Sequence, residues 1–171
     1  MSHTLDSLKE ENGGVVPLQK LIPILKILLK HLASQHKIGL ALRNIHPRNI
    51  LISSQGNVDI SNLDSGSMAY YSPEVIFKLE QNENEDVFTA ENDIWSFGCI
   101  LFEMALGYIP LAAESDYVQQ PQSWSILLRG DKPAASIRPD SIFGHIPHRV
   151  TPLLCDVLRG ALEYNPQMRS K

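Results

Sequence analysis

The chain has 171 residues, 43% of them hydrophobic and 20% charged, with a formal net charge of -4 at pH 7. That length suits one domain with a real core, and the composition is that of an ordinary globular protein. No Lys/Arg stripe is dense enough to neutralise a run of phosphates, which excludes nucleic acid as the main partner. The first dozen residues are polar and acidic, with no secretory pattern. Cys99 and Cys155 lie far apart in apolar helical contexts. They read as two buried, reduced thiols of a cytoplasmic protein.

In chain order, residues 1–16 read as a polar lead-in. Leu5 and Leu8, three apart, suit one or two helical turns, and Asn12-Gly13-Gly14 reads as a linker. The glycines make no phosphate cradle, because no strand precedes them and no third glycine follows in register. Leu18 to His36 is a long helix, with Leu18, Leu21, Ile22, Leu25, Leu28, Leu29 and Leu32 recurring at three and four. Pro17 suits its first turn, Pro23 should bend it early, and Gly39 is its stop.

Between Ala41 and Asp64 the grammar changes. Ile50-Leu51-Ile52 is a short apolar run, Ser53 to Asn57 supplies turn residues, and Val58 and Ile60 alternate with Asp59 and Ser61. That predicts a small hairpin with a loop on each side, and such loops commonly carry sites. Residues 82–86 extend an acidic, Asn-rich loop that starts at Gln81. Thr89 is placed as an N-cap for a helix opening with Ala90-Glu91-Asn92. The stretch from Trp95 to Ala113 is almost wholly apolar but holds Glu103, Gly107 and Pro110. It reads as a buried core helix, not a membrane span. Residues 116–122 read as a polar loop, 123–128 as a short helix and 129–148 as Pro-rich and irregular. Residues 150–164 form a last helix with Leu153, Leu154, Val157, Leu158 and Leu162 on one face.

Five stretches together resemble the protein kinase family. Leu42-Arg43-Asn44 falls on that family's His-Arg-Asp, with His46 on the following Lys and Asn49 on the Asn. Asn62-Leu63-Asp64, thirteen positions after Asn49, falls on Asp-Phe-Gly. Ser72-Pro73-Glu74 resembles Ala-Pro-Glu. Asp93-Ile94-Trp95-Ser96-Phe97-Gly98 matches the box that opens the family's central helix. Asn165-Pro166-Gln167-Met168-Arg169 resembles its Asp-Pro-x-x-Arg ending. The resemblance implies a mainly α fold with a small β-hairpin, the kinase-like C-lobe of an α+β family. It runs over 1–171, with the N-lobe absent and with residues 65–72 a shortened activation segment.

The same resemblance bears on chemistry. Phosphoryl transfer needs a carboxylate to orient the acceptor hydroxyl and an acidic ligand for Mg²⁺. Asn44 and Asn62 stand at those two positions as neutral amides, and His46 replaces a permanent cation. Asn49, with Leu51 on the nucleotide side, keeps its residue type. Leu42 and Leu63 keep apolar bulk, as do Ile100 and Met104. Asp93, Trp95 and a Glu74–Arg169 ion pair are implied as structural. Asp93 should accept N–H bonds from the loop at Leu42. The implied function is an inert binding or scaffolding module with no metal site and no cofactor. Its partner would be a protein or the missing N-lobe.

Other readings are a divergent Ser/Thr kinase using ATP and Mg²⁺, and a truncated product with no role of its own. A displaced Asp-Phe-Gly at Asp64-Ser65-Gly66 would restore one acid only. A His36–His46 metal pair would lack a third ligand. An isolated lobe should also expose apolar surface near Leu51 and Leu63, which implies oligomerisation or an obligate partner.

Overall fold

The computed structural model describes residues 3–61, 67–81, 87–107, 109, 152–163 and 165–169. The loop readings at Asn62, Leu63 and Asp64, the acidic residues 82–86 and the readings over 116–148 lie outside them. The described elements run β1 (His3–Thr4), α1 (Leu5–Glu11), α2 (Leu18–Lys37), β2 (Ile50–Ile52) and β3 (Val58–Ile60). A 3-10 turn (Met68–Tyr70), α3 (Pro73–Glu80), α4 (Ala90–Leu106), α5 (Pro152–Ala161) and a second 3-10 turn (Pro166–Met168) follow. The architecture is mainly helical beside one small antiparallel sheet.

The predicted hairpin is present, with Ile50 opposite Ile60 and Ile52 opposite Val58. It gains a third strand that the sequence reading lacked, for β1 pairs His3 with Ile52 and Thr4 with Leu51. The polar lead-in is therefore part of the packed body. Thr4 closes a capping box on α1, where the Ser7 N–H donates to Thr4 Oγ1 at 3.0 Å and the Thr4 N–H to Ser7 Oγ at 3.0 Å. Leu5 then drops fully into the core. The Gly13-Gly14 stretch is no free linker either. The Val16 N–H donates to the Met104 carbonyl at 2.8 Å, and Val16 is buried.

Helix α2 continues through Pro23, its sixth residue. A proline so near the start deletes only the bond to Gln19, which is why the helix survives it. Leu21, Ile24, Leu25, Leu28 and Leu32 form its buried stripe. Each such side chain contributes about 1.5–3 kcal/mol as an upper figure. Leu18 only borders the core, and Ile22 and Leu29 face outward.

Helix α4 is the centre of the molecule. Every residue from Asn92 to Met104 is buried except Ile94, which is half-buried, and Trp95, Phe102, Ile100 and Met104 are among the largest side chains wholly inside. A helix apolar on all sides belongs there. Thr89 occupies its N-cap position, but the side chain makes no capping bond. The helix ends at Leu106 because Gly107 takes φ +90, and a Cβ at Gly107 would lie 3.1 Å from the Gly14 carbonyl oxygen. At Gly98 a Cβ would meet Leu162 Cδ2 at 2.8 Å and Ala161 Cβ at 2.9 Å, so α5 packs onto α4 across a glycine. Among the described residues, no helix is long and apolar enough to cross a membrane.

Candidate functional site

The loop between α2 and β2 is held from beneath by one carboxylate. Asp93, in the first turn of α4, has no exposed surface. Its Oδ2 accepts the Leu42 N–H at 2.7 Å, and its Oδ1 accepts the Arg43 N–H at 2.9 Å. His36 Nε2 lies 2.8 Å from Oδ2, so the imidazole donates from that nitrogen. A buried carboxylate needs such donors, and the loop needs such an anchor. Arg43 sits at φ +69, a left-handed conformation unusual for a residue with a side chain. The Arg43 N–H bond to Asp93 on one side and the Asn44 N–H bond to the Leu42 carbonyl on the other close a tight turn about Arg43 and fix that conformation.

The anchored loop then places the remaining candidates. Asn44 turns tightly, its N–H donating to the Leu42 carbonyl at 2.7 Å. Asn49 Nδ2 donates to the Asn44 carbonyl at 3.2 Å. Backbone bonds from the Asn49 N–H to His46 O, 2.9 Å, and from the Ser61 N–H to Asn49 O, 2.8 Å, tie Asn49 to the hairpin. Asn49 is fully buried, and its Oδ1 has no hydrogen-bond partner among the described residues. His46 is buried and stacks on Tyr70, ring centroids 5.9 Å apart. His36 and His46 thus have different partners, Asp93 and Tyr70. Leu42 is half-buried against the core. Leu51 is also half-buried, on β2. Asn62 and Leu63 lie outside the described residues.

A second brace closes the far side. Arg169 Nη1 and Nη2 donate to Glu74 Oε1 and Oε2 at 2.6 and 2.9 Å. Its Nε donates to the Glu163 carbonyl at 2.7 Å and Nη1 also to the Glu91 carbonyl at 3.0 Å. The guanidinium lies 5.1 Å over the Trp95 ring. Every edge of the fork is used, which is what a buried arginine requires. The pair fixes geometry more than it adds net stability.

Sequence reasoning missed a third network. Glu103 is buried on α4; Lys9 Nζ lies 2.6 Å from its Oε1, and the Tyr70 hydroxyl donates to its Oε2 at 2.6 Å. Burial first, and the Glu103 charge second, push the Tyr70 phenol well above its ordinary range. This network ties α1, the 3-10 turn and α4 together. Contacts 94 and 33 residues apart in sequence leave no local pattern to read. Glu103 inside an apolar helix was the one available hint, since a buried acid must have partners.

A family model described as the protein kinase domain matches residues 1–171. The chain belongs to that family. It is 29% identical over 173 residues to the Serine/threonine-protein kinase cds1 of Schizosaccharomyces pombe, covering 92% of this chain and 35% of that protein. It is 34% identical over 140 residues to Mitogen-activated protein kinase kinase 9 of Arabidopsis thaliana, covering 73% of this chain and 42% of that protein. With the Serine/threonine-protein kinase stk11 of Xenopus laevis it shares 27% over 186 residues, 99% of this chain and 38% of the relative. The chain therefore spans between about a third and two-fifths of these relatives' lengths.

Proposed function

We propose that this kinase-family chain is a catalytically inert binding or scaffolding module, a pseudokinase. One observation carries the reading. The catalytic-type loop is anchored in full by Asp93, yet the residue presented at the base position is Asn44. An amide cannot take a hydroxyl proton at neutral pH. The loop from Ala41 to Asn49 contains no Asp or Glu at all. Its oxygen donors for a metal are the side-chain amide oxygens of Asn44 and Asn49 and neutral backbone, a poor set for Mg²⁺, which favours charged oxygens. The residues of this loop therefore do not by themselves fit a phosphate-bridging metal. The scaffold, by contrast, keeps every brace: Asp93 under the loop, Arg169 on Glu74 and Glu103 under Tyr70. The partner is a protein surface or an N-lobe, and the setting is the cytoplasm.

The second reading is a working Ser/Thr-type kinase in a longer chain, supplied with ATP and Mg²⁺ by parts beyond this one. The Ser/Thr-kinase names of the relatives and the retained Asn49 favour it. Phosphotransfer by the chain joined to an N-lobe, measured beside Asn44→Ala, separates the two. The expected result is the same background incorporation for both proteins. Incorporation well above background that vanishes in Asn44→Ala overturns the inert reading.

A further inference from the structure

Helix α2 carries an outer surface that nothing described in the fold uses. It holds four lysines and no Asp or Glu along its 20 residues. Lys20 donates to Asn12 Oδ1 at 3.0 Å. Lys26, Lys30 and Lys37 are exposed, and their side chains have no ion-pair or hydrogen-bond partner among the described residues. Lys30 is four residues and Lys37 eleven from Lys26. At 3.6 residues per turn the three form one ridge about 16 Å long. Ile22 and Leu29, seven residues apart, border that ridge and stay 44% and 39% exposed.

The arrangement is unfavourable for the free helix. Lys26 and Lys30 are a like-charged pair one turn apart, with no acid at three or four residues to offset them. The chain as a whole is acidic, 19 Asp and Glu against 15 Lys and Arg, so this cationic ridge is a local concentration. Such a face pairs with negative charge. A lipid surface is the poorer match. A membrane-bound helix lays a broad apolar face into the bilayer, whereas the main apolar stripe of α2 is already spent on the core. What remains is a row of three cations with two apolar side chains along one border. That complements a helix with a carboxylate row beside an apolar row.

We infer that the outer face of α2 docks an acidic amphipathic helix of a protein partner. Its carboxylates meet Lys26, Lys30 and Lys37, and its apolar side chains meet Ile22 and Leu29. This gives the scaffolding reading a partner class and rests on that reading only for its purpose. The phosphotransfer assay and the binding titration below can each fail alone.

The test uses the 171-residue chain and a fluorescent helical peptide of about 18 residues with adjacent Glu and Leu stripes, long enough to cover the ridge. Binding is followed by anisotropy. The expected result is saturable binding that weakens about tenfold between roughly 50 and 300 mM salt. The exposed double change Lys26→Glu/Lys30→Glu should weaken it at least about tenfold, with an unaltered thermal melt. Ile22→Ala/Leu29→Ala should weaken it about threefold or more. Absence of binding, binding indifferent to the lysine reversals, or binding of phosphatidylserine vesicles in place of the peptide overturns the inference.

Discussion

Asp93 shows how one side chain can set a loop. Three donors converge on its two oxygens, two of them the amides of Leu42 and Arg43. Asp93→Ala removes the acceptor and leaves both amides and the His36 imidazole seeking partners in a dry place. The expected cost is about 3–5 kcal/mol. Asp93→Asn keeps one acceptor oxygen and should cost about 2 kcal/mol. Overall stability alone would not prove the local role, so the readout is amide hydrogen exchange at Leu42 and Arg43. Protection there should fall further than protection at Leu28 or Phe102 in both variants. Equal loss across the chain would mean that Asp93 supports the fold generally and not this loop. Arg43 adds an independent check. Its φ of +69 is tolerated because both flanking bonds hold it, so Arg43→Gly should partly relieve Asp93→Asn.

At the level of elements, α4 and α5 are spaced by Gly98. Substituting Ala gains about 1 kcal/mol of helix propensity. It also drives a Cβ to within 2.8 Å of Leu162 Cδ2 and 2.9 Å of Ala161 Cβ. The leucine tip can turn aside, but the Ala161 Cβ is fixed to backbone and cannot. Overpacking of about 1–3 kcal/mol therefore wins, and Gly98→Ala should destabilise by about 1 kcal/mol net. Thermal melts of Gly98→Ala, Leu162→Ala and the double variant decide it: the double should cost less than the sum, and strict additivity would place the strain elsewhere. The long elements were legible in the sequence because periodicity repeats over several turns. Leu21 to Leu32 announces α2, and the nearly all-apolar run from Trp95 onward announces α4. The strand β1 was not legible, and α1 showed only as the one or two turns suggested by Leu5 and Leu8. A two-residue strand and a seven-residue helix carry too few side chains to show a period. They exist because Thr4 caps α1 and pairs with Leu51, a partner 47 residues away. The site divides in the same way. Asp93, Glu74 and Arg169 came from motifs that resemble a family, whereas His36, Lys9, Tyr70 and Glu103 meet only through tertiary packing.

Taken as a whole, the molecule buries acids at two places, Asp93 under the loop at Leu42 and Glu103 beneath α1 and the first 3-10 turn. The second has neighbours that titrate. That choice has an alkaline consequence. Burial, reinforced by Glu103, pushes the Cys99 thiol above its ordinary 9.0. Burial likewise raises Tyr70 above 10.0, again with Glu103 adding to it, and raises Tyr71 from the same value. In each case the folded state keeps a proton that the unfolded chain gives up. Stability is thus fully present below the unfolded values and is lost as pH rises beyond them. The urea midpoint should stay level from about pH 7 to about pH 9 as far as these groups act, then fall. The slope approaches about 1.4 kcal/mol per pH unit for each group that ionises only on unfolding. Tyr70→Phe separates the network from the rest. It should lower the neutral plateau by about 1–3 kcal/mol, because Glu103 Oε2 loses its donor. It should also remove one proton's worth of slope above about pH 10. Phe and Tyr differ little in bulk, so packing alone would shift the plateau without touching the slope. A variant whose alkaline slope matches the parent would show that Tyr70 ionises as freely folded as unfolded, and that Glu103 holds it by no proton at all.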